Sequence, residues 1–447
     1  MAQLEYLLPK QYVRTMEATL TQAPQDAFHQ VKRVVEQDLG APLADIFTEF
    51  DEHPIASASL AQVHLATLKS TGERVAVKVQ HEGLRELSQV DIGTIAFLVE
   101  TVKRIFPKFE YTWLVDEIKH NLPRELDFRL EGKNCEQAGT NFADDDRVAV
   151  PRIHWAHTSA RVLTMSFESG CYITNVAGIV AQGLLPADVA TVYSDLFSKQ
   201  VFKHGFVHAD PHAGNVLVRV HPQRPGKPQI VLLDHGLYRP LDDAFRVSYA
   251  RLWRALIFGD EAGIKRESEA MGAGDMYKLF AAILTTRSWD EVSKSSLDSL
   301  QVDGSDGGKA VTSAYAKQYQ DEIQDILCRL PREMLLLLKT NDCMRAVDAA
   351  LGTPVNTFLT MAVDCVDAIA EEEMRQDPSW GTWAACKMQQ WRIWGTVTGY
   401  WLAVTLGAAT PPPSLSSAPS GPQMLHDPSD SGHKALASPA DGGPCPV

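Results

Sequence analysis

Residues 208–215 read HADPHAGN, and residues 232–236 read LLDHG. Between them stand two apolar runs, Val216, Leu217 and Val218, then Ile230, Val231, Leu232 and Leu233, which predict the strands of a hairpin. An aspartate followed five residues later by an asparagine, then an Asp-x-Gly beyond a second strand, is a set suited to phosphoryl transfer. That chemistry needs an acid beside the acceptor hydroxyl and hard oxygen ligands for a divalent ion. Asp210 is the candidate to orient or deprotonate the acceptor, and Asn215 and Asp234 are the candidate Mg²⁺ ligands. Gly236 lets the backbone turn directly after the second ligand. A buried polar loop, or a zinc site made of His208, Asp210 and His212, is the competing reading of the first motif alone. The second motif at hairpin spacing favours phosphotransfer.

Such a site also needs a cation on the leaving phosphates. In VAVKVQ, Val75, Val77 and Val79 share one face of a strand while Ala76, Lys78 and Gln80 share the other. A strand lysine is ordinarily a solvated residue. Lys78, however, follows a small-residue loop and precedes HADPHAGN, the position of a phosphate-gripping lysine. Its acidic partner is sought among Glu125, Asp127 and Glu131 of RELDFRLEGKN, although a solvated acidic face balanced by Arg124, Arg129 and Lys133 explains the same spacing. The loop before the strand, residues 54–64, reads PIASASLAQVH and contains no glycine. Its methyl and hydroxymethyl groups restrict the backbone more than a glycine-rich phosphate loop does.

The chain has 447 residues, 45% of them hydrophobic, with 42 Lys and Arg against 56 Asp and Glu, a net charge of −14. That length allows more than one lobe with an apolar core. The acidic balance argues against the whole molecule binding a nucleic-acid backbone. Seven dispersed cysteines without a C-x-x-C pair argue against a disulfide framework. Residues 10–50 predict helices, with Val31, Val34, Val35 and Leu39 on one stripe and Gly40 as a stop. Strands follow around the turn at Ser70, Thr71 and Gly72, then helices over 84–106 and 110–140, with Pro123 expected to kink or restart the second. RIHWA and RVLTMSF, within 152–167, predict strands again, and 184–390 is mostly helical apart from the two motif-bearing β stretches. Residues 293–309 predict a polar insertion, and 411–447, with nine prolines, a disordered tail. The uncharged run 393–410, with tryptophans at 380, 383, 391, 394 and 401 around it, predicts a buried or interfacial helix rather than a spanning one. The acidic run 144–146 predicts a solvated loop, and Met334, Leu335 and Leu338 predict core.

Taken together, these motifs resemble the UbiB, or aarF-domain-containing, atypical kinase family. PIASASLAQVH, VAVKVQ, the E-x-D pair Glu125 and Asp127, EGKN with Glu131, HADPHAGN and DHG stand in that family's order over about residues 7–353. The surroundings look most like the eukaryotic mitochondrial branch with DHG in place of DFG. The resemblance implies an α+β, protein-kinase-like two-lobe fold that uses ATP and Mg²⁺. It divides the chain into a helical N-terminal extension (1–50), a small β/α N-lobe (51–168), a mostly helical C-lobe (169–355), a helical C-terminal extension (356–410) and the tail. It implies that Lys78 pairs with Glu131 and the phosphates, and that Asp210 is the catalytic acid. Ala56, Ser57, Ala58 and Ser59 would face the nucleotide with Glu125 and Asp127, and the backbone of Met165, Ser166, Phe167 and Glu168 would hold adenine. It further implies ATPase or phosphotransferase activity tied to mitochondrial or organellar lipid and quinone metabolism. The partners it implies are membrane lipids or quinone-pathway proteins, reached by peripheral membrane association. The family's K-x-G-Q element is missing from this sequence, which leads us to expect an upstream segment. A small-molecule phosphotransferase with an H-x-D-x-x-x-x-N loop is an alternative, disfavoured by the alanine-rich loop and ELDF. A nucleotide-binding pseudokinase scaffold is the other, but Lys78, Asp210, Asn215 and Asp234 are all present.

Overall fold

The computed structural model describes residues 25–105, 112–285, 289–293, 329–352 and 357–405. The polar insertion beyond Ser293 and the proline-rich tail lie outside the described residues. The first part is built on a five-stranded antiparallel sheet in the order β1-β3-β4-β6, with β2 paired to β3. Its strands are β1 (Phe47–Phe50), β2 (Ala56–Ser57), β3 (Ala61–Leu68), β4 (Arg74–Gln80) and β6 (Val162–Ser166). Helix α1 (Phe28–Leu39) covers one face and ends where Gly40, at φ 68°, takes the left-handed conformation that closes a helix. Val31, Val34 and Val35 pack there against Val75, Val77, Val79 and Val162. Each fully buried valine contributes about 1.5–3 kcal/mol before chain entropy is counted.

The alternation of β4 sends its other side chains to the opposite face. There α5 (Phe128–Asn141) supplies Phe128 and Cys135 against Ala61, Ala76, Leu163 and Met165. Lys78 therefore emerges on the side of the sheet that carries α5. A short helix α2 (Leu43–Ile46) leads into β1, so the helical reading of 10–50 is corrected at its end. Edge pairing of Phe47, Glu49 and Phe50 with β3 decides the strand there.

Helices α3 (Leu84–Ile105) and α4 (Thr112–Glu125) precede α5. Of the two expectations for Pro123, a kink or a restart, the restart does not occur, since Pro123 lies inside α4. The break comes at Asp127, whose carboxylate accepts from the Arg129 N–H and caps α5. RIHWA is likewise not a strand. Ile153 makes a single bridge to Met165, and Trp155–His157 form a 3₁₀ turn.

The second part has a four-stranded sheet, β5 (Val148–Ala149), β10 (Arg224–Leu232), β9 (Val216–His221) and β7 (Cys171–Tyr172), in that order, and a two-stranded ribbon of β8 (Phe206–His208) with β11 (Tyr238–Pro240). The predicted hairpin is β9 with β10, in a register that sets Val216 opposite Leu232. After β7 come α6 (Val176–Ala181) and α7 (Pro186–Phe202); α7 is buried along most of its length. Then follow α8 (Asp243–Phe258), α9 (Glu261–Ala270), α10 (Tyr277–Thr285), α11 (Trp289–Ser293), α12 (Arg332–Ala350), α13 (Thr357–Gln376) and α14 (Trp380–Thr405). Met334 is buried in this helical core, and Leu335 and Leu338 pack on it, as expected. The acidic run 144–146 is the loop expected, exposed at Asp144 and Asp146, and two of its carboxylates also hold ion pairs. Asp145 meets Arg147 at 2.6 Å and Lys199 at 2.8 Å, and Asp146 pairs with Arg224. Among the described residues no helix is long and apolar enough to cross a membrane.

Asp348, on α12, is buried, and its Oδ1 has no hydrogen-bond partner. Burial raises its carboxyl to about 7, with Arg345 pulling weakly the other way. A raised acid stabilises the fold below its unfolded value, here about 4, and that contribution fades as pH climbs through about 7, at up to about 1.4 kcal/mol per unit. Asp348→Asn should therefore raise the thermal midpoint at pH 8 and leave it nearly unchanged at pH 4. Equal shifts at the two pH values would show that the carboxyl's ionisation is not the cause.

Candidate active site

Lys78 lies between two carboxylates. Its Nζ donates to Glu131 Oε1 at 2.7 Å and Oε2 at 2.9 Å, and stands 3.7 Å from Asp234 Oδ2. The Glu131 side chain is 4% exposed and that of Lys78 16%, so the pair is shielded from water. The aromatic floor is Phe128, whose ring centroid lies 5.2 Å from the ammonium. Burial works against the charged lysine, but the Asp234 and Glu131 carboxylates more than offset it and hold its titration above the ordinary range. Asp234 is likewise pushed up by its surroundings, yet Lys78 and the Gly236 N–H, donating to Oδ1 at 2.8 Å, bring it down to about 2. It stays ionised throughout the physiological range. The Gly236 turn matters sterically as well. A Cβ there would sit 3.2 Å from Asp234 Oδ1 and 3.9 Å from Glu131 Oε2.

The catalytic-loop candidates are fixed by the β8–β11 ribbon. His208 pairs with Tyr238, and Ala209 N–H donates to the Leu237 carbonyl at 2.9 Å, so HADPHAGN and DHG are bonded to each other. Within the loop, Asp210 N–H donates to His208 Nδ1 at 3.0 Å, and Asn215 Nδ2 donates to the Asp210 carbonyl at 3.3 Å. Leu233 N–H donates to the Asn215 carbonyl at 3.0 Å, which sets both candidate metal ligands at one end of the hairpin. His235 is held beneath them by Tyr238 Oη at 3.1 Å and the Leu232 carbonyl at 3.1 Å, and burial lowers its titration to about 3. It is a neutral structural ring. Sequence reasoning assigned no role to Asn134, whose Nδ2 donates to the His235 carbonyl at 2.9 Å. Three residues after Glu131 on α5, it ties the helix bearing Lys78's partner to the DHG turn. Gly132 between them lets the Trp155 ring lie close, since a Cβ would meet it at 2.8 Å.

The two members of E-x-D separate. Glu125 lies within electrostatic reach of the site: burial, then the Asp234 and Asp210 charges, push its carboxyl up. Asp127 does not join it. Both of its oxygens are taken by Arg129, at 2.9 and 2.8 Å, and it caps α5. Asp127 thus caps α5 in this structure, and Glu131 is the acid that Lys78 finds. Ala56 and Ser57 form β2, and Ala58 and Ser59 begin the turn into β3. Ala58 N–H is spent on the Ala61 carbonyl at 2.8 Å, while His81 Nε2 meets the Ala58 carbonyl at 2.9 Å. The loop is thereby stitched to the end of β4 and has little of the freedom of a glycine-rich cover. At the adenine position, Met165 and Ser166 end β6, and the Ser166 and Phe167 N–H groups already donate to the Arg152 and Arg74 carbonyls. The Glu168 side chain is paired with Arg219 at 2.6 Å.

The donor set suits Mg²⁺. Asp234 offers a carboxylate and Asn215 an amide oxygen, its nitrogen being used within the loop, and a hard ion that keeps several waters needs little more from protein. The zinc alternative does not assemble. His208 Nδ1 accepts the Asp210 N–H, His212 Nε2 is 4.0 Å from Asp210 Oδ2, and among the described residues no three His, Cys, Asp or Glu side chains gather as a metal site. One further side chain enters the cleft unannounced by the sequence. Lys339 Nζ, from α12, lies 2.8 Å from Asp210 Oδ1.

Comparison with known proteins places this geometry. Residues 19–268 match the model of the ABC1 atypical kinase-like domain. An ABC1 protein of Arabidopsis thaliana is 43% identical over 85% of this chain and 73% of its own. AarF domain-containing protein kinase 1 of Mus musculus is 43% identical over 83% of this chain and 70% of its own. Among solved structures, a Mycobacterium tuberculosis protein in complex with erythromycin aligns at a TM-score of 0.48 and 26% identity, covering 61% of this chain and 67% of that one. With the Lys78–Glu131 pair, the HADPHAGN loop and the DHG turn meeting in one cleft, and with that sequence identity over most of both chains, this protein belongs to the ABC1, or AarF-domain, family of atypical kinase-like proteins.

Proposed function

We propose that the protein is a Mg²⁺-dependent, ATP-binding atypical kinase or ATPase that moves the γ-phosphoryl group of ATP to an acceptor oxygen. The observation that carries this reading is the clamp of Lys78 between Glu131 and Asp234 in the cleft that also holds Asp210. Lys78 would neutralise the leaving phosphates, held in place by Glu131. As the acceptor oxygen bonds to phosphorus, the bridging P–O bond breaks, its electron pair leaves on ADP, and the acceptor's proton passes to Asp210. Mg²⁺, held by Asn215 and Asp234, would supply charge neutralisation at the phosphate oxygens. The Asp234 and Asp210 charges that push the Glu125 carboxyl up also make the acceptor side acidic. That environment disfavours an anionic acceptor and favours water or a neutral hydroxyl.

Family membership supports placing this activity in mitochondrial or organellar lipid and quinone homeostasis. Peripheral membrane contact belongs to the same reading, since Trp380, Trp391 and Trp394 of α14 are 80%, 73% and 66% exposed. Titration calorimetry with MgATP is the direct test. Saturable heat from the parent protein, lost in Lys78→Met, is expected; a parent protein that gives no heat would overturn the proposal.

A further inference from the structure

Transfer of a phosphoryl group spreads negative charge over its three equatorial oxygens, and positive charge is needed at that end of the nucleotide as well as on the leaving phosphates. Lys78 lies with Glu131 and Asp234, and the loop 208–215 contains no lysine or arginine. The cation beside the catalytic aspartate comes instead from α12, where Lys339 Nζ is 2.8 Å from Asp210 Oδ1. The geometry points to Lys339 as a catalytic residue of the phosphotransfer proposed above, the cation that meets the transferred phosphoryl group.

Its backbone is well placed for that work. On α12, Met334, Leu337, Thr340, Met344 and Val347 are all buried, and Asn341 donates to the Tyr249 hydroxyl at 3.3 Å. The helix is thus anchored without any help from Lys339, whose side chain is 47% exposed and whose partner Asp210 is 42% exposed. An ion pair that open to water adds little to stability, so the fold gives no reason for the lysine to be there. The cleft does. The Asp210 loop is bonded to the turn whose Asp234 stands 3.7 Å from Lys78, which brings Lys339 to the same space, and Glu125 feels the charges of all four. In that space, Lys339 balances Asp210 before substrate enters. Its flexible stem lets the ammonium turn to phosphoryl oxygens while remaining near the carboxylate that takes the acceptor's proton. A cation supplied by a distant segment of the same chain does the work of an arginine finger acting in cis.

The inference rests on the proposed ATP chemistry, so the test separates the two. Affinity for MgADP and for MgADP with aluminium fluoride, a mimic of the transferring group, is measured by calorimetry on the full chain, its Lys339→Gln and its Lys339→Arg variants. The expected result for Lys339→Gln is unchanged MgADP affinity, at least a tenfold loss for the fluoride complex and a drop in turnover of about 10²–10³-fold. Lys339→Arg should restore most of the fluoride-complex affinity. A parent protein that binds neither ligand overturns the ATP reading and this one with it. A parent that binds both, with Lys339→Gln losing nothing selectively for the fluoride complex or turning over faster, overturns the assignment of Lys339 alone and makes the ion pair a brake on Asp210.

Discussion

Asp210→Asn should reduce MgATP turnover by about 10²–10⁴-fold, the usual worth of a positioned general base, while leaving MgADP affinity close to that of the parent protein. The amide preserves the volume, and the backbone bonds of the loop, from Asp210 N–H to His208 and from Asn215 to the Asp210 carbonyl, do not involve the side chain. What is lost is an atom able to accept the acceptor's proton. The substitution also removes one of the charges that push up the Glu125 carboxyl, leaving burial and Asp234. Glu125 should then ionise more readily and become the nearest substitute base. Measurement of turnover against pH in Asp210→Asn and in Asp210→Asn/Glu125→Gln discriminates the roles. A single variant within tenfold of the parent, with the double variant dead, would transfer the base from Asp210 to Glu125. A double variant no weaker than the single one leaves Asp210 as the base.

The parts of this site that the sequence revealed are those whose physics is local. A period of two in VAVKVQ predicts one valine face and one lysine face, and the α1 stripe at 31, 34 and 35 predicts where the valines go. The hairpin between the two loops follows from two apolar runs with turn residues between them. What spacing left open is which acid Lys78 chooses. Asp127 and Glu131 are one turn apart, but a residue at the start of a helix has its own use for a carboxylate, and the unpaired N–H groups with Arg129 claim Asp127. FTEF at 47–50 has no strong local preference, and its strand exists because β3 offers an edge. Lys339 was beyond any local pattern. Its partner lies across a long stretch of chain, and KTND on a helix reads as an ordinary polar face until the fold brings it to Asp210.

The Lys78–Glu131 pair should couple stability to nucleotide binding in a way that one variant series can separate. Glu131→Gln leaves a shielded ammonium with one hydrogen-bond acceptor in place of a carboxylate. Breaking a buried pair from one side costs about 3–5 kcal/mol, and Asp234 at 3.7 Å should keep the loss near the lower end. The lysine then leans towards Asp234 and occupies a candidate metal ligand, so MgATP affinity should fall more than affinity for ATP without metal. Replacing both partners, as Lys78→Met/Glu131→Leu, removes the stranded charge and packs onto Phe128, Ala76 and Leu163, which line the same face. That double variant should recover most of the stability lost by Glu131→Gln, because an apolar pair of similar volume replaces a buried ion pair at little cost. It should bind no MgATP. Chemical denaturation and calorimetry on the same samples check both halves. Stability recovered together with nucleotide binding would mean that the pair is only a structural tie. If neither is recovered, Glu131 holds α5 against the sheet by something other than charge.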